Sequence, residues 1–511
     1  MIRRSITLAG VALLICAVSG CGGSGGTGAG DSSKGVRMQV ADDATVAFKV
    51  WFKAGSQDDP VGKEGLAYVT GELLAGGGTS ENTLPEILQK LYPLAASYGV
   101  RVDREMTVFT GRTHVDNVDK FFELFTDSYL KPGFAADDFE RIRDDAVNAI
   151  EKSLRYNSDE DLGKAALEQF VFDGTPHEYP AMGTVSGLKS LTLDDVKAFY
   201  ASHYTGANAE VAIGGGFDET LARRFEGSLD SLPEGPAPEA TPAPVPAEFE
   251  GRHVLLVSKP DADASISFGF PIDVRRGDRE FYALWVANSW LGEHRNSSSH
   301  LYQVIREARG MNYGDYSYIE AFPEGGQRQV PPQHVGRRRQ MFQIWIRTLP
   351  NTDAHFAIRA AVRELESLVE NGMSAEDFEL TRSFLTRYVL HFAETNTERL
   401  AYALDDRFYG VDGSGHLARF REVLPSLTVE EVNAAVKKHL DPEHMKFAII
   451  TGAAPELKQA LAEETPSPKS YGQIEKPDEI LEEDKIIAGY ALNIPAENIA
   501  ITPVESMFEE R

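Results

Sequence analysis

Apolar and polar positions along the chain fall into the same order of elements twice. Apolar patterning predicts a strand over 45–52, helices near 63–75 and 84–97 and strands near 100–113. A long helical stretch over 116–172, a helix at 192–202 and a strand at 208–214 complete the first series. The second series opens with strands near 253–270, then helices near 279–291 and 299–309 and strands near 311–320 and 341–348. Helices across 353–410, a helix at 428–438 and a strand at 445–451 close it. The repetition predicts a duplicated α+β unit, each copy a sheet packed with helices.

Proline punctuates the boundary between the copies. Residues 233–248 carry Pro233, Pro236, Pro238, Pro242, Pro244 and Pro246, which cannot continue a helix or a central strand, so this stretch is expected to be a semi-rigid linker between halves at 37–232 and 249–465. The remaining tail, 466–511, is acidic over Pro477–Asp484. Ile486, Ile487, Tyr490, Leu492, Ile494, Ile499, Ile501 and Val504 then recur densely enough to lie along the folded halves or a partner.

At 511 residues the chain exceeds one ordinary domain. Its formal net charge of −27 is spread along the sequence, which disfavours nucleic acid and anionic membrane surfaces as partners. Residues 1–20 read as a targeting segment: Arg3-Arg4, an apolar run from Ile6 to Val18 too short to favour a spanning helix, then Ser19-Gly20. Val18-Ser19-Gly20-Cys21 resembles a bacterial lipobox, which implies cleavage before Cys21 and lipidation of its thiol. Residues 21–36 would then be a lipidated Gly/Ser-rich tether, and the protein is expected in the cell envelope, on the periplasmic face of the outer membrane. Cys16 and Cys21 are the two cysteines, so the processed chain is left with no thiol for a disulfide or a cysteine nucleophile.

The candidate chemistry begins at Gly55-Ser56-Gln57-Asp58-Asp59-Pro60, followed by Gly65-Leu66-Ala67-Tyr68-Val69-Thr70-Gly71-Glu72-Leu73. This frame resembles the pitrilysin/insulinase family of zinc metallopeptidases, in which Gly-Leu-Ala is followed by H-x-x-E-H. There, two His at i and i+4 face the metal from one side of a helix, and the Glu takes a proton from the zinc-bound water. Here those positions are Tyr68, Gly71 and Glu72. A phenol is a poor zinc ligand, glycine offers no base, and one carboxylate cannot replace two imidazoles. The chain itself is therefore expected to hold no metal. The family's third ligand, a Glu, should fall near 149–151, where Glu151 could occupy the position.

The resemblance spans most of 37–465. Gly183-Thr184, the block Leu191–Val196, Tyr204 and the run Asn208–Gly216 match the family's end of a first domain. In the second half, Ser299 through Tyr313 resembles the segment whose Arg and Tyr, seven apart, reach across a chamber to substrate at the zinc site; Arg306 and Tyr313 match that spacing. Gly310 is expected to close the helix in a left-handed cap so that Tyr313 starts the next strand. An Arg fork can hold a peptide carbonyl or carboxylate, and a Tyr hydroxyl can donate to a developing oxyanion.

Other conspicuous residues read as structural. His177-Glu178 and Glu293-His294 are adjacent pairs, unable to project two ligands from one helix face. Arg337-Arg338-Arg339 is expected to be a solvated approach to a strand or to meet an acidic partner, and Gly76-Gly77-Gly78 lacks the Lys-Ser/Thr of a phosphate loop. What the resemblance implies is a zinc-free subunit forming one side of a clamshell, supplying Arg306 and Tyr313 to a homologous partner that carries zinc and an intact motif. The alternative is a purely structural or peptide-binding pseudopeptidase in an envelope assembly.

Overall fold

The computed structural model describes residues 35–511. The targeting segment, Cys21 and nearly all of the expected tether lie outside the described residues. Eleven strands are described: β1 (Gly35–Gln39), β2 (Thr45–Phe52), β3 (Ser97–Val102), β4 (Thr107–His114), β5 (Ala209–Gly215), β6 (Arg252–Ser258), β7 (Ala264–Ile272), β8 (Asp315–Tyr318), β9 (Gln340–Leu349), β10 (Met445–Thr451) and β11 (Ile499–Pro503). They form two sheets, ordered β1-β5-β2-β4-β3 and β11-β6-β10-β7-β9-β8. Adding five to every strand number of the first sheet reproduces the second, with β11 appended at its edge. In each, the first pair (β1·β5, β6·β10) is parallel and the later pairs are antiparallel. The duplication expected from the order of elements is thus present as a duplicated α+β topology.

Alternation along β2 explains how the halves meet. Val46, Phe48, Val50 and Phe52 enter the first half's core, while Ala47 and Trp51 on the opposite face pack with Leu400 and Leu404. Those leucines belong to the helix Asn396–Tyr409 of the second half. The exchange is reciprocal: on β10, Phe447 and Ile449 join the second core, whereas Ala448 and Ile450 join the first, beside Leu162 and Ala166 of the helix Asp159–Val171. Each half lends one helix to the other's sheet, so the two copies are welded through apolar contact rather than merely tethered.

Several expected boundaries shift. Gly35 and Val36, expected in the tether, belong to β1, which pairs with β5 and packs Val36 and Met38 beside Ala47. The helix expected to run to 97 ends at Leu91, with a short 3-10 turn through Leu94; Pro93 lies in that turn and Ala95 takes a left-handed φ of 47°, after which β3 begins at Ser97. Residues 233–248 carry no helix or strand. The tail does lie along the folded halves: β11 pairs in parallel with β6, the helix Asp478–Ala488 packs Ile487 into the second core, and Val504, Met507 and Phe508 enter the first.

Candidate functional site

The helix Leu66–Gly76 carries the motif positions. Asp59 holds its start, accepting from Gly65 N and Ala67 N at 2.7 Å each. Leu66, Ala67, Val69 and Leu73 are buried in the core. Tyr68 and Glu72, one turn apart, face a cavity of about 770 Å3 between the two halves. Burial, with Glu72 and Asp145 nearby, pushes the Tyr68 phenol up to about 12. Burial alone raises the Glu72 carboxyl to about 7. Gly71 is closely covered: a Cβ there would come within 2.5 Å of Val102 Cγ2 and 3.5 Å of the Tyr204 hydroxyl oxygen.

Ala149 lines the same cavity, whereas Glu151 bonds Lys189 Nζ at 2.8 Å and is not in its lining. Ala149 and Ser153 thus border the cavity, and Glu151, expected as a third-ligand candidate, points to Lys189 instead. Two residues apart on a helix means nearly opposite faces, which is why a two-residue offset decides the matter. A methyl group, a protonated phenol, a glycine whose space is filled and one carboxyl do not fit a zinc ion. Among the described residues no three His, Cys, Asp or Glu side chains converge as a metal site.

The cavity wall is rich in charge. Arg337 pairs with Glu168 and, at 3.2 Å, with Asp103; Arg104 reaches the same Glu168 at 2.8 Å. Arg338 pairs with Glu105 and donates to Thr241 O at 2.6 Å. Arg337 and Arg338 thus meet acidic residues of the chain's own first half, rather than forming the expected solvated approach to the strand. Lys164, from the exchanged helix, points its ammonium at Trp345 (3.8 Å), Tyr318 (4.5 Å) and Phe322 (5.6 Å), with one hydrogen bond to Phe322 O at 3.2 Å. Burial lowers its amine to about 7.

Arg306 and Tyr313 stand apart from that cavity. Tyr313 lines a smaller cleft of about 360 Å3 with Asn157, Ser158, Glu160 and Arg347, and Asn157 and Ser158 border both spaces. It is 76% exposed. Arg306 lies over the Tyr302 ring at 4.9 Å, its Nη1 bonding Glu307 at 2.5 Å. Gly310 takes the expected left-handed conformation, φ 65°, and its N–H donates to Arg306 O. The helix before it differs from expectation, with a wide π-type turn over Tyr302–Glu307. Tyr313 does not start the strand, which begins at Asp315. Asn312 builds a turn there instead, donating to Asp315 Oδ1 at 2.7 Å and Arg347 O at 3.1 Å.

The adjacent acid–base pairs are structural, as their spacing implied. Glu178 caps Gly174 N at 2.5 Å and pairs with Arg511, and His177 is fully buried. His294 bonds the Tyr318 hydroxyl at 2.8 Å and Arg328 O at 2.9 Å. Burial raises the Glu293 carboxyl beside it to about 7.

Comparison with known proteins matches residues 37–185 to the insulinase family, peptidase family M16, and residues 190–385 to the peptidase M16 inactive domain. An uncharacterized zinc protease of Mycobacterium leprae is 26% identical over 404 residues, covering 77% of this chain and 84% of its own. A Helicobacter pylori protein named a non-peptidase homolog is 22% identical, covering 78% and 87%. Among solved structures, a peptidase M16 inactive domain from Pseudomonas fluorescens superposes with a TM-score of 0.71 at 23% identity, covering 81% of this chain and 94% of that one. A Helicobacter pylori protease gives 0.68 at 18%, covering 81% and 96%. With both halves matched in tandem around a motif helix that lacks the family's two histidines, the chain belongs to peptidase family M16.

Proposed function

We propose that this chain is the zinc-free subunit of a heteromeric M16 peptidase, shaping a peptide chamber and presenting Arg306 and Tyr313 to a homologous partner with an intact H-x-x-E-H helix. The observation that carries this reading is Tyr313: a large aromatic ring 76% exposed, on a turn built by Asn312, in a cleft bordering the main cavity. A hydroxyl so placed is available to a carbonyl delivered from outside, and Arg306 stands one helical segment before it. The partner would supply metal and activated water, while this chain holds the peptide and stabilises the developing oxyanion. We also assign it to the bacterial envelope, anchored through a lipid on Cys21 beyond a flexible tether.

The test is purification from the native envelope, with co-purifying chains identified and zinc measured. Recovery of a homologous chain bearing the intact motif, with zinc in that chain, supports the reading. The Helicobacter pylori relative named a non-peptidase homolog favours a second one, in which the chain is a peptide-binding scaffold. Recovery with unrelated envelope proteins and no zinc-bearing homologue would establish that alternative.

A further inference from the structure

The cavity between the halves holds two guanidinium groups that neither the fold nor the proposed subunit role employs. Arg101 comes from β3 in the first half, and Arg339 immediately precedes β9 in the second; both line the same space. Each has one loosely held ion-pair partner, and Arg101 also lies in the field of the buried Asp103. Arg101 Nη2 stands 3.6 Å from Glu324 and Arg339 Nη1 3.5 Å from Asp273. Asp273 faces solvent, while Glu324, itself in the cavity wall, is also paired with Arg328. The Nε atoms of both arginines are buried without a hydrogen-bond partner. The side chains nevertheless keep 25% and 24% exposure, so their outer nitrogens remain reachable.

The other charges of the wall do not cancel this pair. Glu168 is taken up by Arg337 and Arg104, and Asp103 pairs with Arg337 at 3.2 Å while Arg101 and Arg104 share its field. Asp161 acts on Lys164. Burial keeps the Glu72 carboxyl largely protonated below about 7. What remains is a pair of guanidinium groups whose ion-pair partners stand only 3.6 and 3.5 Å away, in a chain whose formal charge is −27 and whose overall field repels anions. Guanidinium forks suit a carboxylate, which accepts two parallel N–H bonds from one fork or bridges two.

We propose that the cavity binds a carboxylate-bearing peptide segment, with the carboxylate held between Arg101 and Arg339. The inference rests on reading the cavity as a peptide chamber. The carboxylate is either an acidic side chain or the peptide's C-terminus, and the two share one recognition chemistry.

Fluorescence anisotropy on the isolated full chain decides it, using three labelled peptides of equal length. One carries glutamates and an amidated end, one glutamines and a free carboxyl end, and one glutamines and an amidated end. At least one carboxylate peptide should bind about tenfold or more tighter than the neutral one, and which of the two does so names the source. The preference should weaken with added salt and vanish in the double variant Arg101→Gln/Arg339→Gln, while Arg101→Lys retains part of it. If the double variant does not fold, the salt dependence on the unmodified chain and the single Arg339→Lys variant still decide. Equal binding of all three peptides would overturn the carboxylate site and leave the chamber standing. Binding of none would overturn the chamber, and the site with it.

Discussion

Val102 Cγ2 occupies the space that a side chain at Gly71 would need, 2.5 Å from where its Cβ would lie. Val102 is branched, stiff and closes β3, so it cannot swing away cheaply. Loss of the metal motif is therefore built into the packing beside it, and reinstating the residues alone should not reinstate the site. Gly71→Glu is expected to destabilise the fold by about 2–4 kcal/mol, from overpacking together with a buried carboxylate. Adding Val102→Ala should recover part of that loss. Urea denaturation of the single and double variants measures both.

Glu72 makes stability depend on pH. Burial raises its carboxyl from 4.5 to about 7 in the folded chain, so across that window the folded state keeps a proton that the unfolded state has released. The stability carried by this proton is complete below the unfolded value and falls as pH rises through the folded one. Glu72→Gln removes the titration. Relative to the unmodified chain, the variant should gain about 1–3 kcal/mol at pH 8 over its difference at pH 5. Denaturation at the two pH values checks it, each variant compared with the unmodified chain so that Glu293 and Asp406, raised in the same direction, drop out.

The last residues of the chain act as a strap. Phe508 is 1% exposed in the first half's core, its carbonyl accepts from Val185 N at 3.0 Å, and Arg155 holds Met507 O at 2.9 Å. Because β11, a few residues earlier, is part of the second half's sheet, this segment ties the halves together. Phe508→Ala should cost about 3–5 kcal/mol, far more than is usual three residues from a chain end. Thermal unfolding, with limited proteolysis at the tail, reads the effect.

Glu168 bridges Arg104 and Arg337, one from each half. Glu168→Gln leaves two buried guanidinium groups dependent chiefly on Asp103, and should destabilise by about 3–5 kcal/mol. A double variant with Arg337→Met should lose less than the two single changes added together. Chemical denaturation of the four proteins completes the cycle.

Local patterns in the sequence revealed what local patterns can encode. Alternation over Thr45–Phe52 marked β2, the Gly-Leu-Ala frame placed the motif helix, and Gly310 marked a helix end. Strand β1 was invisible because five residues, GVRMQ, carry little pattern and are held by β5, far along the chain. The tail's apolar residues were legible, but their destination depends on the register of Ile499 against Val254. The charged wall escaped for the same reason: Asp103, Glu168 and Arg337 lie on separate elements, and nothing near any of them in the sequence points to the others. The reciprocal exchange of helices between sheets is likewise a property of pairing distant segments.

The central claim concerns Tyr313, and one substitution isolates it. Tyr313→Phe keeps the exposed ring and removes only the hydroxyl. The complex reconstituted with the zinc-bearing partner should then assemble and bind peptide as before, while turnover falls about 10²–10³-fold, the loss typical of a missing oxyanion donor. Unchanged turnover in a normally assembled complex would contradict the account.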